Sequence, residues 1–154
     1  SKIKYILDGG KCSIGIESTI ISLIAKPIIL RLGGLDISKI EKILKRKILI
    51  KINSKKKIAP GQFPIHYSPG IPLRKNVKNP KKKEAFLLIK ERKNTSKNYF
   101  YLSKKNNLYQ AAKNLYSLLR KVKNNGYKSI AVEKIPNIGI GKTLNDRLNK
   151  ASKF

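Results

Sequence analysis

Three short stretches of this chain carry side chains that could do chemistry on an anion. The first is Glu17-Ser18-Thr19, reached through Asp8-Gly9-Gly10 and Gly15. Glycine opens backbone angles closed to other residues and lets a ligand approach the chain closely. Ser18, at the mouth of an apolar run, can donate to or accept from such a ligand. The same hydroxyl can instead satisfy a local backbone group in an ordinary turn. The second stretch is Arg31, which closes Ile28-Ile29-Leu30 and precedes Gly33-Gly34. A guanidinium fork suits a phosphate or carboxylate, and strand ends line ligand crevices in α/β folds. A structural ion pair with one of the few acids is the alternative use. The third is His66-Tyr67, inside a proline-rich stretch. His66 could serve as a base or simply pack. Tyr67 could close over a nucleotide as a rigid aromatic on a mobile segment, or anchor the linker by packing.

Other chemistries are excluded or weak. Cys12 is the only cysteine and His66 the only histidine, so an intrachain disulfide or a cysteine-rich metal site is ruled out. No protein metal site is expected on this chain. Gly139-Ile140-Gly141-Lys142-Thr143 is reminiscent of a phosphate-binding P-loop, but Pro136 occupies the position of its first glycine. The two glycines are read instead as opening a last helix, with Lys142 and Arg147 on its exposed face.

The elements that must position these residues fall into three zones. In residues 1–57, Lys4–Leu7, Ser18–Ile24, Ile28–Arg31 and Ile48–Ile52 read as strands. Asp36–Arg46 reads as a helix, with Ser38 and Glu41 as a capping box and Ile37, Ile40, Ile43 and Leu44 on one face. Residues 58–83 hold Pro60, Pro64, Pro69, Pro72 and Pro80. Proline fixes φ and removes a backbone donor, so the stretch is expected to be an extended linker with a solvated basic second half, Arg74 to Lys83. From residue 84 the pattern alternates: strands at Ala85–Lys90, Tyr99–Leu102 and Ser129–Glu133, and a helix with Leu108, Ala111, Ala112, Leu115, Leu118, Leu119 and Val122 on one face. Asn106 or Asn107 can start that helix and Gly126 can end it. A final helix buries Leu144, Leu148 and Ala151. This order predicts a small α/β domain with a parallel sheet.

Composition sets the electrostatic frame. The 154 residues include 36 Lys+Arg against 8 Asp+Glu, a net charge of +28. Abundant Lys, Ile and Asn match the usage of an AT-rich genome, which does not account for so few acids. A field of this sign attracts polyanions such as ATP, pyrophosphate or RNA. Most of the cations are Lys, which supplies point charge rather than bidentate base reading. No apolar run is long enough to span a membrane, no signal-peptide pattern opens the chain, and a cytoplasmic location is expected. The chain contains no Met and is read as a C-terminal fragment or a crop.

Together, D-G-G-x-C-x-x-G-x-E-S-T-I from Asp8, L-R-x-G-G from Leu30 and A-P-G-Q followed by H-Y-S-P from Ala59 resemble, in order, the threonylcarbamoyl-AMP synthases of the YrdC-like family in their two-domain form. The tail Gly139–Ala151 also resembles the end of that family's second domain. The resemblance implies the end of a YrdC-like α/β catalytic domain at 1–57, a linker at 58–83 and a small Rossmann-like α/β domain at 84–154. It implies synthesis of threonylcarbamoyl-AMP and pyrophosphate from L-threonine, bicarbonate and ATP, for threonylcarbamoylation of tRNA adenosine 37. ATP is then a substrate, with Mg2+ as its counter-ion. Ser18 would bind L-threonine, Arg31 and Tyr67 would bind ATP, and His66 would belong to the linker lid; no catalytic residue is assigned. tRNA or a tRNA-modification transferase is a candidate partner, together with the N-terminal catalytic portion that carries the family's K-x-R and S-x-N motifs. Leu32 and Ile65 depart from the family's usual residues. On this reading the chain alone is expected to be inactive, and its first 57 residues poorly stable because an incomplete sheet exposes unpaired edges. The competing readings are a basic RNA-associated binding module without catalysis, and a regulatory domain separated from its catalytic half.

Overall fold

The computed structural model describes residues 3–10, 12–52, 59–62 and 68–153. His66 and Tyr67 lie outside the described residues.

Two small sheets organise the chain. The first has the order β1-β2-β3, built from β1 (Ile20–Ser22), β2 (Ile28–Arg31) and β3 (Leu49–Ile50). β1 runs antiparallel to β2, and β2 parallel to β3. The crossover between β2 and β3 carries helix α1 (Ile37–Leu44), as a parallel pair requires. Ile29, Leu32, Ile37, Ile40 and Ile48 form its small core. Ile43 stays 81% exposed, so only part of the expected helix face is covered. The cap also differs from the expected box. Asp36 is the N-cap and accepts from Ser38 N at 3.0 Å. Glu41 instead accepts from Ile48 N at 3.0 Å and Lys47 Nζ at 3.2 Å, because an Asp carboxylate already serves the first turn and frees Glu41 to close the turn into β3.

Lys4–Leu7 is not a strand. It is exposed coil, with Leu7 99% and Tyr5 89% accessible. Apolar alternation forms a strand only beside a neighbour, and among the described residues none pairs with it.

The second sheet has the order β4-β7-β5-β6 and is parallel throughout, as expected. Its strands are β4 (Leu73–Arg74), β5 (Ala85–Leu88), β6 (Tyr99–Tyr101) and β7 (Ile130–Val132). The proline-rich stretch thus supplies a strand that its composition hides. β4 lies at the sheet edge, where proline is tolerated, and the Pro72 carbonyl accepts from Ile130 N at 2.9 Å. Helices α2 (Leu108–Asn124) and α3 (Gly141–Ala151) pack with Ala85, Leu87, Ile130 and Val132 in one core cluster. Asn107 caps α2, accepting from Gln110 N at 3.0 Å. Residues of opposite pleat, Phe86, Leu88 and Ala131, form a second cluster with Val77, Tyr99 and Tyr101. Arg92 lies 4.9 Å over the Phe86 ring there.

Glu84 fastens the edge strand. It is buried, and Arg74 donates to it from Nε at 2.9 Å and Nη2 at 2.7 Å, while Lys81 N donates at 2.7 Å. The Arg74 fork holds the Glu84 carboxyl below the usual carboxylate range, against burial, which acts in the opposite direction. A depressed folded-state pKa adds stability that is present above the unfolded value and is lost as pH falls through the folded value. Glu84→Gln is therefore expected to lower stability at neutral pH by about 1 kcal/mol. The deficit should shrink towards acid pH in chemical denaturation; a deficit that stays constant with pH would contradict this assignment.

Candidate functional site

The end of β2 and the entrance to β1 form one polar corner. Arg31 is the last residue of β2 and pairs in register with Ile20, while Ser18 lies just ahead of β1. Arg31 donates from Nε to the Ser18 carbonyl at 2.9 Å and from Nη2 to Ser18 Oγ at 3.1 Å. Its Nη1 reaches the Pro60 carbonyl at 3.5 Å. The two residues singled out by sequence are therefore in direct contact. Each Nη carries a second N–H beyond these bonds, and Ser18 keeps its own hydroxyl proton to donate. Every partner of Arg31 here is a neutral oxygen. Among the described residues no carboxylate lies within ion-pair distance of it, so the structural ion pair weighed above does not form with them. A half-buried cation beside a hydroxyl that can still donate is chemically suited to an anion.

Gly33 makes this corner possible. A Cβ there would lie 2.2 Å from Thr19 N and 2.4 Å from the Glu17 carbonyl, so only glycine lets the two segments close. Gly15 has φ +71° and packs on the backbone of Lys113, where a Cβ would come within 2.7 Å. The close approach expected of the glycine segment is thus made to helix α2.

The linker residues that are described are tied to the same corner. Gln62 is buried and donates from Nε2 to the Leu30 carbonyl at 3.1 Å, while its Oε1 accepts from Ala59 N at 3.1 Å.

Beneath the corner lies a cluster that sequence reasoning misplaced. Arg147 is not on an exposed face; it is 0% accessible. It donates to the Leu32 carbonyl from Nη2 at 2.7 Å and to Glu17 Oε2 from Nε at 3.1 Å, and its Nη1 pairs with Asp146. Lys150, also buried, donates to Asp146 Oδ2 at 2.9 Å and to the Gly61 carbonyl at 2.9 Å. Thr143 Oγ1 donates to the Gly33 carbonyl at 2.9 Å. Tyr116 OH meets Glu17 Oε2 at 3.3 Å, and burial pushes its phenol well above the ordinary range. The signal available in the sequence was spacing: Thr143, Asp146, Arg147 and Lys150 share one helical face.

A cavity of about 540 Å3 borders the corner, lined by Cys12, Gly15, Glu17, Ser68, Tyr116 and Arg120 among others. Neither Ser18 nor Arg31 lines it. Among the described residues no group of three or more His, Cys, Asp or Glu could hold a metal ion, and no helix is long and apolar enough to cross a membrane.

Residues 35–153 match the family described as threonylcarbamoyl-AMP synthase, C-terminal domain. The chain belongs to this family. Threonylcarbamoyl-AMP synthase of Pyrococcus abyssi is 30% identical over 99% of this chain and 50% of the relative. The crystal structure of P. abyssi Sua5 complexed with L-threonine superposes with a TM-score of 0.81 at 30% identity, over 98% of this chain and 50% of that one. A variant of the same Sua5 with a His and the adjacent Tyr both changed to Ala gives a TM-score of 0.66 at 26% identity, over 94% of this chain and 45% of that one. The chain spans about half the length of the threonylcarbamoyl-AMP synthases it matches. Its mixed α/β architecture with a parallel sheet is that of the solved neighbour.

Gly33→Ala is expected to destabilise the first sheet by about 2 kcal/mol, since overpacking against backbone cannot relax cheaply. Hydrogen exchange at the amides of Ile29 and Leu30 checks this. Unchanged protection there would show that the corner tolerates a Cβ.

Proposed function

We propose that this chain is the C-terminal part of an L-threonylcarbamoyladenylate synthase. The whole protein would convert L-threonine, bicarbonate and ATP into threonylcarbamoyl-AMP, pyrophosphate and water. The product would supply the threonylcarbamoyl group for tRNA adenosine 37, in the cytoplasm, with a separate transferase performing that last step. The observation that carries this reading is Arg31: a cation at a strand end whose described partners are all neutral, holding the hydroxyl of Ser18.

The reaction is attack of a threonine-derived carbamate on the α-phosphorus of ATP. Negative charge is present on both reactants and grows on the departing pyrophosphate, so preorganised donors aimed at phosphate oxygens lower the barrier. Arg31 takes that role in this proposal, and Ser18 contacts L-threonine. The relative solved with L-threonine supports the substrate class. Tyr67 would lie over the nucleotide and His66 would belong to the same lid, which excludes water from a hydrolysable carbamate. The joint His and Tyr substitution in the other solved variant supports attention to an adjacent His-Tyr pair, and His66-Tyr67 is the only such pair here. The domain division follows the same reading: a catalytic portion to residue 57, a linker to 83, and a Rossmann-like domain from 84. Mg2+ would accompany ATP, and no residue of this chain is assigned to hold it.

In the full-length protein, Arg31→Ala is expected to raise the KM for ATP about tenfold to a hundredfold, the range for losing a charge-assisted hydrogen bond. Ser18→Ala should act mainly on the KM for L-threonine. Pyrophosphate release against each substrate measures both. An ATP dependence unchanged by Arg31→Ala would remove Arg31 from the nucleotide site.

A further inference from the structure

We infer that one face of α3 sets the orientation of the Arg31 guanidinium, and that Arg147 is its principal positioning residue. The ATP role of Arg31 rests on the function proposed above; its orientation does not.

The argument is one of adjacency. Arg31 bonds to Ser18 and to Pro60. Each of these residues, and Arg31 itself, is held one position away by α3. Arg147 grips Glu17, next to Ser18, and the Leu32 carbonyl, next to Arg31. Lys150 grips the carbonyl of Gly61, next to Pro60. Thr143 adds the Gly33 carbonyl, and Asp146 bridges Arg147 to Lys150. The three backbone segments that define where Arg31 points are therefore fastened to a single rigid helix.

Physical cost makes the fastening specific. A buried guanidinium is tolerated only when its donors are satisfied. Arg147 meets a carbonyl and two carboxylates with its Nη2, Nε and Nη1. Two of those acceptors, on Glu17 and Leu32, come from segments distant in sequence, while Asp146 travels with α3, so any sliding of α3 against the corner would break the first two bonds in a dry site. The opposite edge of the same helix, Leu144, Leu148 and Ala151, belongs to the core of the second sheet. Movement of that sheet would be transmitted to Arg31 through about two turns of helix.

The test uses the full-length protein. Arg147→Lys keeps the charge and loses the three-way fork. In 15N NMR, solvent exchange at the Arg31 Nε–H is expected to accelerate about tenfold, and the KM for ATP to rise about tenfold with little change in kcat. In an Arg31→Ala background the same substitution should leave that KM unaltered, because its effect passes through Arg31. A general loss of stability would instead act equally in both backgrounds. Thr143→Val, nearly isosteric, removes the Gly33 tether alone and carries the same readouts, with a smaller shift, if Arg147→Lys does not fold. Unchanged Arg31 exchange in a folded variant, or, where Arg31→Ala itself shifts the KM for ATP, an equal effect in both backgrounds, would overturn the inference. Faster Arg31 exchange with an ATP dependence indifferent to Arg31→Ala would uphold the orientation and defeat the nucleotide role.

Discussion

The buried guanidinium of Arg147 is the interaction on which the arrangement of this chain depends. Removing such a group from water costs several kcal/mol even after relaxation. The cost is offset here only when Glu17, Leu32 and Asp146 are all in place around it. Glu17 precedes β1, Leu32 follows β2 and Asp146 is on α3, so the site exists only when the two halves of the chain are docked. An apolar contact can slide and remain apolar. A forked donor in a dry site has one set of acceptors, and it fixes register as well as proximity.

This matters because the two sheets that meet at α3 differ in how much they bury. Among the described residues the first has three strands of at most four residues and a core of five buried side chains. Ile3, Ile6, Leu23, Ile24 and Leu49 remain largely exposed around it. The second sheet buries Phe86, Leu87, Leu115, Leu144 and Leu148 almost completely, and its fully buried aliphatic and aromatic side chains each contribute roughly 1.5–3 kcal/mol. Ile16 packs against that larger core. Thr143, Arg147 and Lys150 of α3 join the corner around Arg31 to that larger core.

Sequence legibility followed the same division. β2, α1, α2 and β5 could be read because apolar periodicity reports burial against apolar neighbours, and these elements have such neighbours. Ser18 and Arg31 could be singled out as polar groups at the ends of apolar runs, and they meet. α3 could be read for Leu144, Leu148 and Ala151 but not for Arg147 and Lys150. A helix face that is polar because it meets water and one that is polar because it meets carbonyls have the same pattern. Lys4–Leu7 failed for the converse reason, since alternation marks the capacity to pair without naming a partner. β4 was obscured by proline, whose missing donor is harmless at an edge.

The scarcity of acids also acquires a meaning. Asp8 turns its own loop through Gly10 N, and Asp36 caps α1. Glu41 pairs with Lys47, Glu84 with Arg74, Glu91 with Lys104 and Glu133 with Arg92. Glu17 and Asp146 pair with Arg147. Every acid in the chain thus has a structural partner, and none of them is Arg31. In a protein of net charge +28, long-range repulsion disfavours each additional uncompensated cation. Arg31 is nonetheless held among neutral oxygens at the end of a strand. Among the described residues no carboxylate balances its charge, which is the electrostatic arrangement that the proposed ATP role of Arg31 calls for.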